Sequence, residues 1–289
     1  MTITSDEFRQ RYGPTALVTG ASSGIGEQLA RALAERGLGL VLVARRRELL
    51  EGLAEALSQR YGIEAVAVAV DLARPDFLDE LLPACAGMDI GLVVSNAGFG
   101  VKGRLHETPP EQLEGMLDVN CRAPLLLARA FAPRLLERGR GGFLVTASIE
   151  GYLGFPHSAA YAATKAFVRS LGEGIWQEYR EQGLDVLVLS PGATDTEVFA
   201  RLGMDPKALR AMAPEVVARQ ALGQLGRGPD FIPGFSNRLF VRVLRILPRR
   251  LALRIAGTNM RKALDAARPP EPADPAPAQE SQPPRGEEP

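Results

Sequence analysis

At 289 residues, with 46% hydrophobic and 24% charged side chains, the chain has the make-up of a folded globular protein with a sizeable core, which excludes wholesale disorder. Its 34 Lys and Arg balance 34 Asp and Glu, so no overall field attracts nucleic acid and any basic site must be local. The two cysteines, Cys85 and Cys121, lie in separate segments, which excludes a disulfide framework; they read as small buried hydrophobes in a reducing compartment.

The first ten residues lack a basic-then-apolar leader, and no apolar run reaches the roughly 18 residues needed to span a bilayer, so the cytoplasm is the expected location. Short, nearly all-apolar runs at 16–19, 40–43, 65–70, 92–95, 143–146 and 186–189 alternate with helical patterns at 24–35, 47–59, 113–138 and 159–182. Strands apolar on both faces must be covered on both. The alternation therefore predicts an α/β fold, a doubly wound (Rossmann) parallel sheet flanked by helices with right-handed crossovers, in one domain over residues 1–235.

Within that domain, 195–212 loosens into Thr, Gly, Pro and scattered large apolar residues and reads as an irregular lid, followed by a helix at 215–225 and a short strand near Phe231. Residues 236–267 form a basic amphipathic helical extension, with eight arginines and lysines between 236 and 262. At 100° per residue Arg238, Arg242 and Arg245 fall within about 60°, with Leu239, Val243, Leu244, Ile246 and Leu247 opposite. Ser236 is the expected cap and Pro248 the break, with the helix resuming at about Arg250. Two readings stand for this segment: its apolar face packs on the main domain or a subunit partner, or it makes a weak peripheral contact with an anionic membrane. The last segment, 268–289, has eight prolines and five acids and is expected to be a disordered tail.

Directly after the first strand, Thr19-Gly20-Ala21-Ser22-Ser23-Gly24-Ile25-Gly26 opens a helix. Glycines there permit a tight turn and let the backbone approach a pyrophosphate, whose charge meets free amides and the positive end of the helix dipole. After the second strand, where an acid would suit the ribose hydroxyls of NAD, the chain reads Ala44-Arg45-Arg46-Arg47. A guanidinium grips a 2′-phosphate that a carboxylate would repel, so Arg45, ahead of Arg46, points to NADP(H).

Tyr161 and Lys165 are four apart in a helical pattern and share a face. An ammonium beside a phenol stabilises the phenolate and makes the hydroxyl a usable proton donor near neutral pH. Ser148 lies 13 residues earlier, at the end of a strand, where open α/β sheets place their sites.

Together with Asp71-Leu72 after the third strand, Asn96-Ala97-Gly98 after the fourth, Asn120, and Pro191-Gly192 after the sixth, these motifs make the chain resemble the short-chain dehydrogenase/reductase superfamily over about residues 13–235. Tyr12-Gly13-Pro14, Ala44-Arg45-Arg46 and Tyr161-Ala-Ala-Thr-Lys165-Ala-Phe167 are similar to its bacterial branch of 3-oxoacyl and hydroxysteroid reductases. The resemblance implies an NADPH-dependent oxidoreductase that transfers hydride to a carbonyl. It makes Tyr161 the proton donor and Ser148 the stabiliser of the substrate oxygen. Lys165 would hold the nicotinamide ribose, and Asn120 would support a water that reprotonates Tyr161. By the same resemblance Asp71 meets the adenine edge, Leu72, Asn96 and Gly98 line the coenzyme cleft, Pro191, Gly192 and Thr194 surround the carboxamide, and Thr196 lies near the pyrophosphate. No metal is implied, and a homodimer or homotetramer is expected. Alcohol oxidation with NADP⁺ and a non-catalytic dinucleotide sensor are the alternatives.

Val198, Phe199, Leu202, Met204, Leu209 and Met212, with Tyr152, Leu153 and Phe155, either line an apolar substrate pocket or pack beneath the lid. Glu150 sits two residues after Ser148, where a greasy pocket favours a small or apolar side chain. Solvent exposure is the reading taken for it, over pairing with a basic group or contact with a polar substrate.

Overall fold

A computed structural model describes residues 4–197, 210–265 and 267. Seven strands build one parallel sheet: β1 (Thr15–Thr19), β2 (Gly39–Ala44), β3 (Ala65–Ala69), β4 (Ile90–Ser95), β5 (Gly141–Thr146), β6 (Leu184–Leu189) and β7 (Asp230–Phe231). Their spatial order is β3-β2-β1-β4-β5-β6-β7, so the chain winds outward from β1 in one direction and from β4 in the other. That reversal opens a crevice beyond the carboxyl ends of β1 and β4, the place where such sheets bind ligands.

Strand residues alternate between two cores. Ala16, Val18, Leu40, Leu42, Leu92 and Val94 face one, packed against α2 (Gly24–Ala34), α3 (Arg47–Tyr61) and the later helix α8 (Pro214–Gln224). Leu17, Val41, Val43, Val93 and Val145 face the other, against α4 (Phe77–Ala84), α6 (Ala123–Glu137) and α7 (Ala159–Tyr179). Burial on both faces explains why the strands lack a polar alternation in sequence.

Two helices go beyond the sequence pattern. α1 (Ser5–Tyr12) has only Phe8 and Tyr12 buried; a capping box between Thr4 and Glu7 starts it. α4 is a short helix with Pro83 inside its last turn. The single helix expected over 113–138 is instead α5 (Pro110–Leu117) and α6, joined by a π-helical turn, Asp118–Arg122. The extra residue in that turn re-aims Asn120 into the protein, where it is 1% exposed.

The basic segment forms α9 (Phe235–Ile246) and α10 (Arg249–Asp265), broken at Pro248 as expected, with α10 resuming at Arg249. Ser236 does not cap α9: the N-cap is Gly234, at φ 80°, and Ser236 falls in the first turn. The apolar side of α9 also splits. Leu244 is buried in a third cluster with Leu153, Phe155, Ala162, Ala252 and Ala256, and Val241 is buried as well, whereas Leu239, Val243 and Ile246 are exposed. Among the described residues no helix is long and apolar enough to cross a membrane. Residues 198–209 of the expected lid and 268–289 of the expected tail lie outside the described residues.

Candidate active site

A cleft of about 610 Å³ opens at the carboxyl ends of β1, β2, β4 and β5. Its walls bring together Gly20, Ser22, Ser23, Gly24, Ile25, Arg45, Asp71, Leu72, Asn96, Gly98, Ser148, Tyr161, Lys165, Pro191, Gly192, Thr194 and Thr196. Of the residues singled out in sequence, Gly26 and Asn120 stand behind this wall.

The glycine turn is a cradle that side chains would fill. Gly20 and Gly24 have φ of 66° and 58°, and a Cβ on Gly26 would lie 2.1 Å from the Gly20 carbonyl oxygen. Ser23, the N-cap of α2, makes no side-chain capping bond, so the amides of the first helical turn face the cleft without that partner. A Cβ on Gly98 would approach Asn120 Oδ1 and Lys165 Nζ at 3.0 and 3.1 Å. Amide donors at a helix start and a glycine-lined floor fit a nicotinamide dinucleotide: pyrophosphate at the turn, ribose near Lys165.

Asn96 ties the sheet together at this edge. Its backbone N–H donates to Thr19 Oγ1 at 2.9 Å, and its side-chain Oδ1 accepts from Thr146 Oγ1 at 3.1 Å. Asp71 Oδ1 accepts from the Ala73 amide at 3.0 Å, fixing the turn after β3. Arg45 is exposed on the cleft wall. Arg46 is anchored instead, donating to Ser22 Oγ at 3.1 Å and Ser22 O at 3.2 Å and pairing with Glu197 at 2.9 Å.

α7 carries Tyr161 and Lys165 on one face, packed so closely on the sheet that a Cβ on Gly172 would lie 2.4 Å from Val188 Cγ2. Lys165 is 4% exposed, donates to the Thr146 carbonyl at 2.9 Å, and has its Nζ 5.7 Å from the centre of the Tyr161 ring. Burial lowers the Lys165 pKa to about 8, opposed by Cys121 and Glu150. Burial pushes the Tyr161 hydroxyl well above its usual range, Glu150 pushes it further, and a hydrogen bond with Ser148 draws it back.

Asn120 Nδ2 donates to the Phe99 carbonyl at 2.8 Å and to Thr164 Oγ1 at 3.0 Å, and its Oδ1 accepts from the Phe99 amide at 3.1 Å. Both amide hydrogens are thus engaged. Any contact with a water would rest on Oδ1.

Glu150 does not face solvent as the sequence suggested. Its carboxylate is 16% exposed and accepts from Lys102 Nζ at 2.7 and 2.8 Å and from the Ser158 hydroxyl. The Glu150 backbone amide also donates to Ser148 Oγ at 3.2 Å. Lys102 itself lines the cleft and was missed in sequence; the acid beside Ser148 was the one signal pointing to such a partner. Tyr152 turns away from the cleft, its hydroxyl donating to Asp230, and Leu153 is buried in the third cluster. Phe155 does line the cleft, and α10 adds Ala256, Asn259, Met260 and Ala263. The candidate pocket residues Val198, Phe199, Leu202, Met204 and Leu209 fall outside the described residues.

Known proteins share this sequence pattern and fold. The family profile described as short chain dehydrogenase matches residues 14–207. The 7β-hydroxysteroid dehydrogenase of Clostridium sardiniense is 35% identical over 233 residues, covering 80% of this chain and 89% of that protein. A solved 7β-hydroxysteroid dehydrogenase superposes with a TM-score of 0.81 at 27% identity, over 89% of this chain and 99% of its own. The short-chain dehydrogenase from Sphingobium yanoikuyae, solved in complex with NADPH, does so with a TM-score of 0.75 at 31% identity, over 91% and 100%. A match spanning the glycine turn, the Ser148, Tyr161 and Lys165 positions and the sixth strand places this chain in the short-chain dehydrogenase family, as an oxidoreductase that uses a nicotinamide dinucleotide.

Proposed function

We propose that the chain reduces a bulky apolar ketone, of the size and rigidity of a steroid, with NADPH as its coenzyme. The observation that carries this reading is that one cleft is lined by Ser148, Tyr161 and Lys165 together with the apolar side chains of Phe99, Val119, Phe155 and Met260. The names of the similar proteins point the same way: two are 7β-hydroxysteroid dehydrogenases and one was solved with NADPH.

A reduced nicotinamide bound here supplies hydride to the carbonyl carbon. The residues do the rest. Ser148 Oγ donates to the carbonyl oxygen as negative charge develops there. Tyr161 gives its proton to that oxygen, and the buried Lys165 ammonium stabilises the phenolate left behind. Gly20, Gly24 and Gly26 admit the pyrophosphate, and Arg45 meets the 2′-phosphate. Alcohol oxidation with NADP⁺ uses the same groups in reverse, with Tyr161 as base. The assembly proposed with this reading is a homodimer or homotetramer.

The test is loss of NADPH absorbance with a panel of steroid ketones, aromatic ketones and 3-oxoacyl thioesters. Turnover of the rigid ketones is expected. Tyr161→Phe should lower turnover by roughly 10²–10⁴-fold while NADPH binding survives. Near-normal turnover in that variant overturns the role of Tyr161, and no turnover with any rigid ketone overturns the substrate class.

A further inference from the structure

α9 has two apolar faces, and only one of them is covered. Val241 and Leu244 are buried, Leu244 in a cluster with Leu153 and Phe155, but Phe235, Leu239, Val243 and Ile246 point outward at 73%, 50%, 44% and 78% exposure. At 100° per residue these four fall within about 80° of one another, and Arg238, Arg242 and Arg245 occupy the next 60° or so. No Asp or Glu occurs from Phe231 to Leu264. Among the described residues none of the arginines from Arg238 to Arg254 forms an ion pair, although thirteen ion pairs elsewhere engage acids of the main domain.

A second observation lies directly beneath. A cavity of about 240 Å³ has walls from Ile149, Leu153, Val241, Leu244 and Leu247, and its remaining lining includes the guanidinium-bearing Arg245 and Arg249. Apolar walls beside two unpaired guanidiniums suit an anionic amphiphile, with hydrocarbon inside and the charged group at the arginines. The opposite side of this same helical pair lines the main cleft through Ala256, Asn259 and Met260.

We propose that the outer face of α9, with the start of α10, is a docking surface for an anionic lipid bilayer. The exposed stripe inserts among the headgroups and acyl boundary while the flanking arginines meet lipid phosphates. Charge complementarity favours this occupant over a second copy of the chain: the same face of another subunit offers these arginines no acid at all. Docking would set α10 and the cleft behind it at the bilayer surface, where an apolar ketone concentrates. That delivery step rests on the reductase reading; the docking itself does not.

The full chain is sedimented with vesicles of phosphatidylcholine alone and of phosphatidylcholine with a third phosphatidylglycerol, at low and raised salt. Binding is expected only with phosphatidylglycerol, and raised salt should release it. The Arg238→Glu, Arg242→Glu, Arg245→Glu triple variant should lose about a hundredfold in partitioning, from about fivefold for each basic residue at an anionic surface. Phe235→Ser with Ile246→Ser should also weaken binding. Both variants should reduce a water-soluble ketone in vesicle-free buffer at the rate of the unaltered protein, a readout that stands or falls with the reductase reading alone. Absence of binding to phosphatidylglycerol vesicles at low salt overturns the proposal, as does binding that neither variant weakens. Light scattering that shows the unaltered chain ignoring vesicles, and either variant dissociating an oligomer, assigns the face to a second copy instead.

Discussion

The Lys102 ammonium donates to both carboxylate oxygens of Glu150, at 2.7 and 2.8 Å, and stands 4.5 Å from the centre of the Tyr161 ring. Its third donor goes to Ser158 Oγ at 2.7 Å, so the pair is satisfied within the protein and acts on its neighbour through charge. Glu150 disfavours the Tyr161 phenolate, and a cation this near favours it. Glu150→Gln leaves Lys102 uncompensated, so the base-dependent limb of alcohol oxidation should move to lower pH. Lys102→Met leaves Glu150 uncompensated and should move it to higher pH. Profiles of kcat/KM against pH for both variants decide the matter: shifts in the same direction, or none, mean the pair only fills space.

Lys165 predicts a second pH effect, in the reductive direction. Burial sets its pKa at about 8, so it is charged below that value and neutral above it. The charged form is the one that supports a phenolate on Tyr161. Ketone reduction should therefore fall as pH rises through about 8, while NADPH binding, followed by fluorescence, changes less steeply. A reduction rate flat across that value would remove Lys165 from the proton step.

Strands β1 to β6 were legible because each is a short, mainly apolar run whose two faces both meet helices, and the glycine turn because only glycine tolerates its geometry. α1 and α4 were not: α1 buries only two side chains, and α4 is eight residues long and carries a proline. Local patterns that weak give no period to read. The π-helical turn at Asn120 is invisible because one inserted residue leaves composition unchanged. Glu150 was misread for a different reason. Its partner lies 48 residues away on another loop, and only the tertiary fold brings the two together.

How firmly α7 is seated can be tested at Gly172. A Cβ there would lie 2.4 Å from Val188 Cγ2 and 3.0 Å from Val145 Cγ1, both on β-branched side chains with little rotational freedom. Gly172→Ala should gain helix propensity yet lose more through overpacking, by about 1–3 kcal/mol. Thermal unfolding should show a Tm lowered by several degrees. A Cβ on Gly174, on the same helix, would meet nothing within 4 Å, so Gly174→Ala should leave Tm unchanged or raise it. Equal effects at the two sites would refute the close seating of α7 on β5 and β6.

Coenzyme choice divides the two arginines after β2. Arg46 is tied to Ser22 and Glu197, and so holds the glycine turn in shape. Arg45 is exposed on the cleft wall, with no hydrogen bond or ion pair among the described residues, and its guanidinium is available to a 2′-phosphate. Arg45→Asp removes a charge-assisted partner and adds a repelling carboxylate, so kcat/KM with NADPH should drop about ten- to a hundredfold more than with NADH. Arg46→Ala loosens the turn that both coenzymes share, so its losses with NADPH and NADH should be alike. The ratio of kcat/KM for the two coenzymes, measured for each variant with one ketone, separates the roles. If Arg45→Asp lowers both equally, Arg45 does not read the 2′-phosphate; if Arg46→Ala alone lowers the NADPH ratio, the phosphate contact belongs to Arg46.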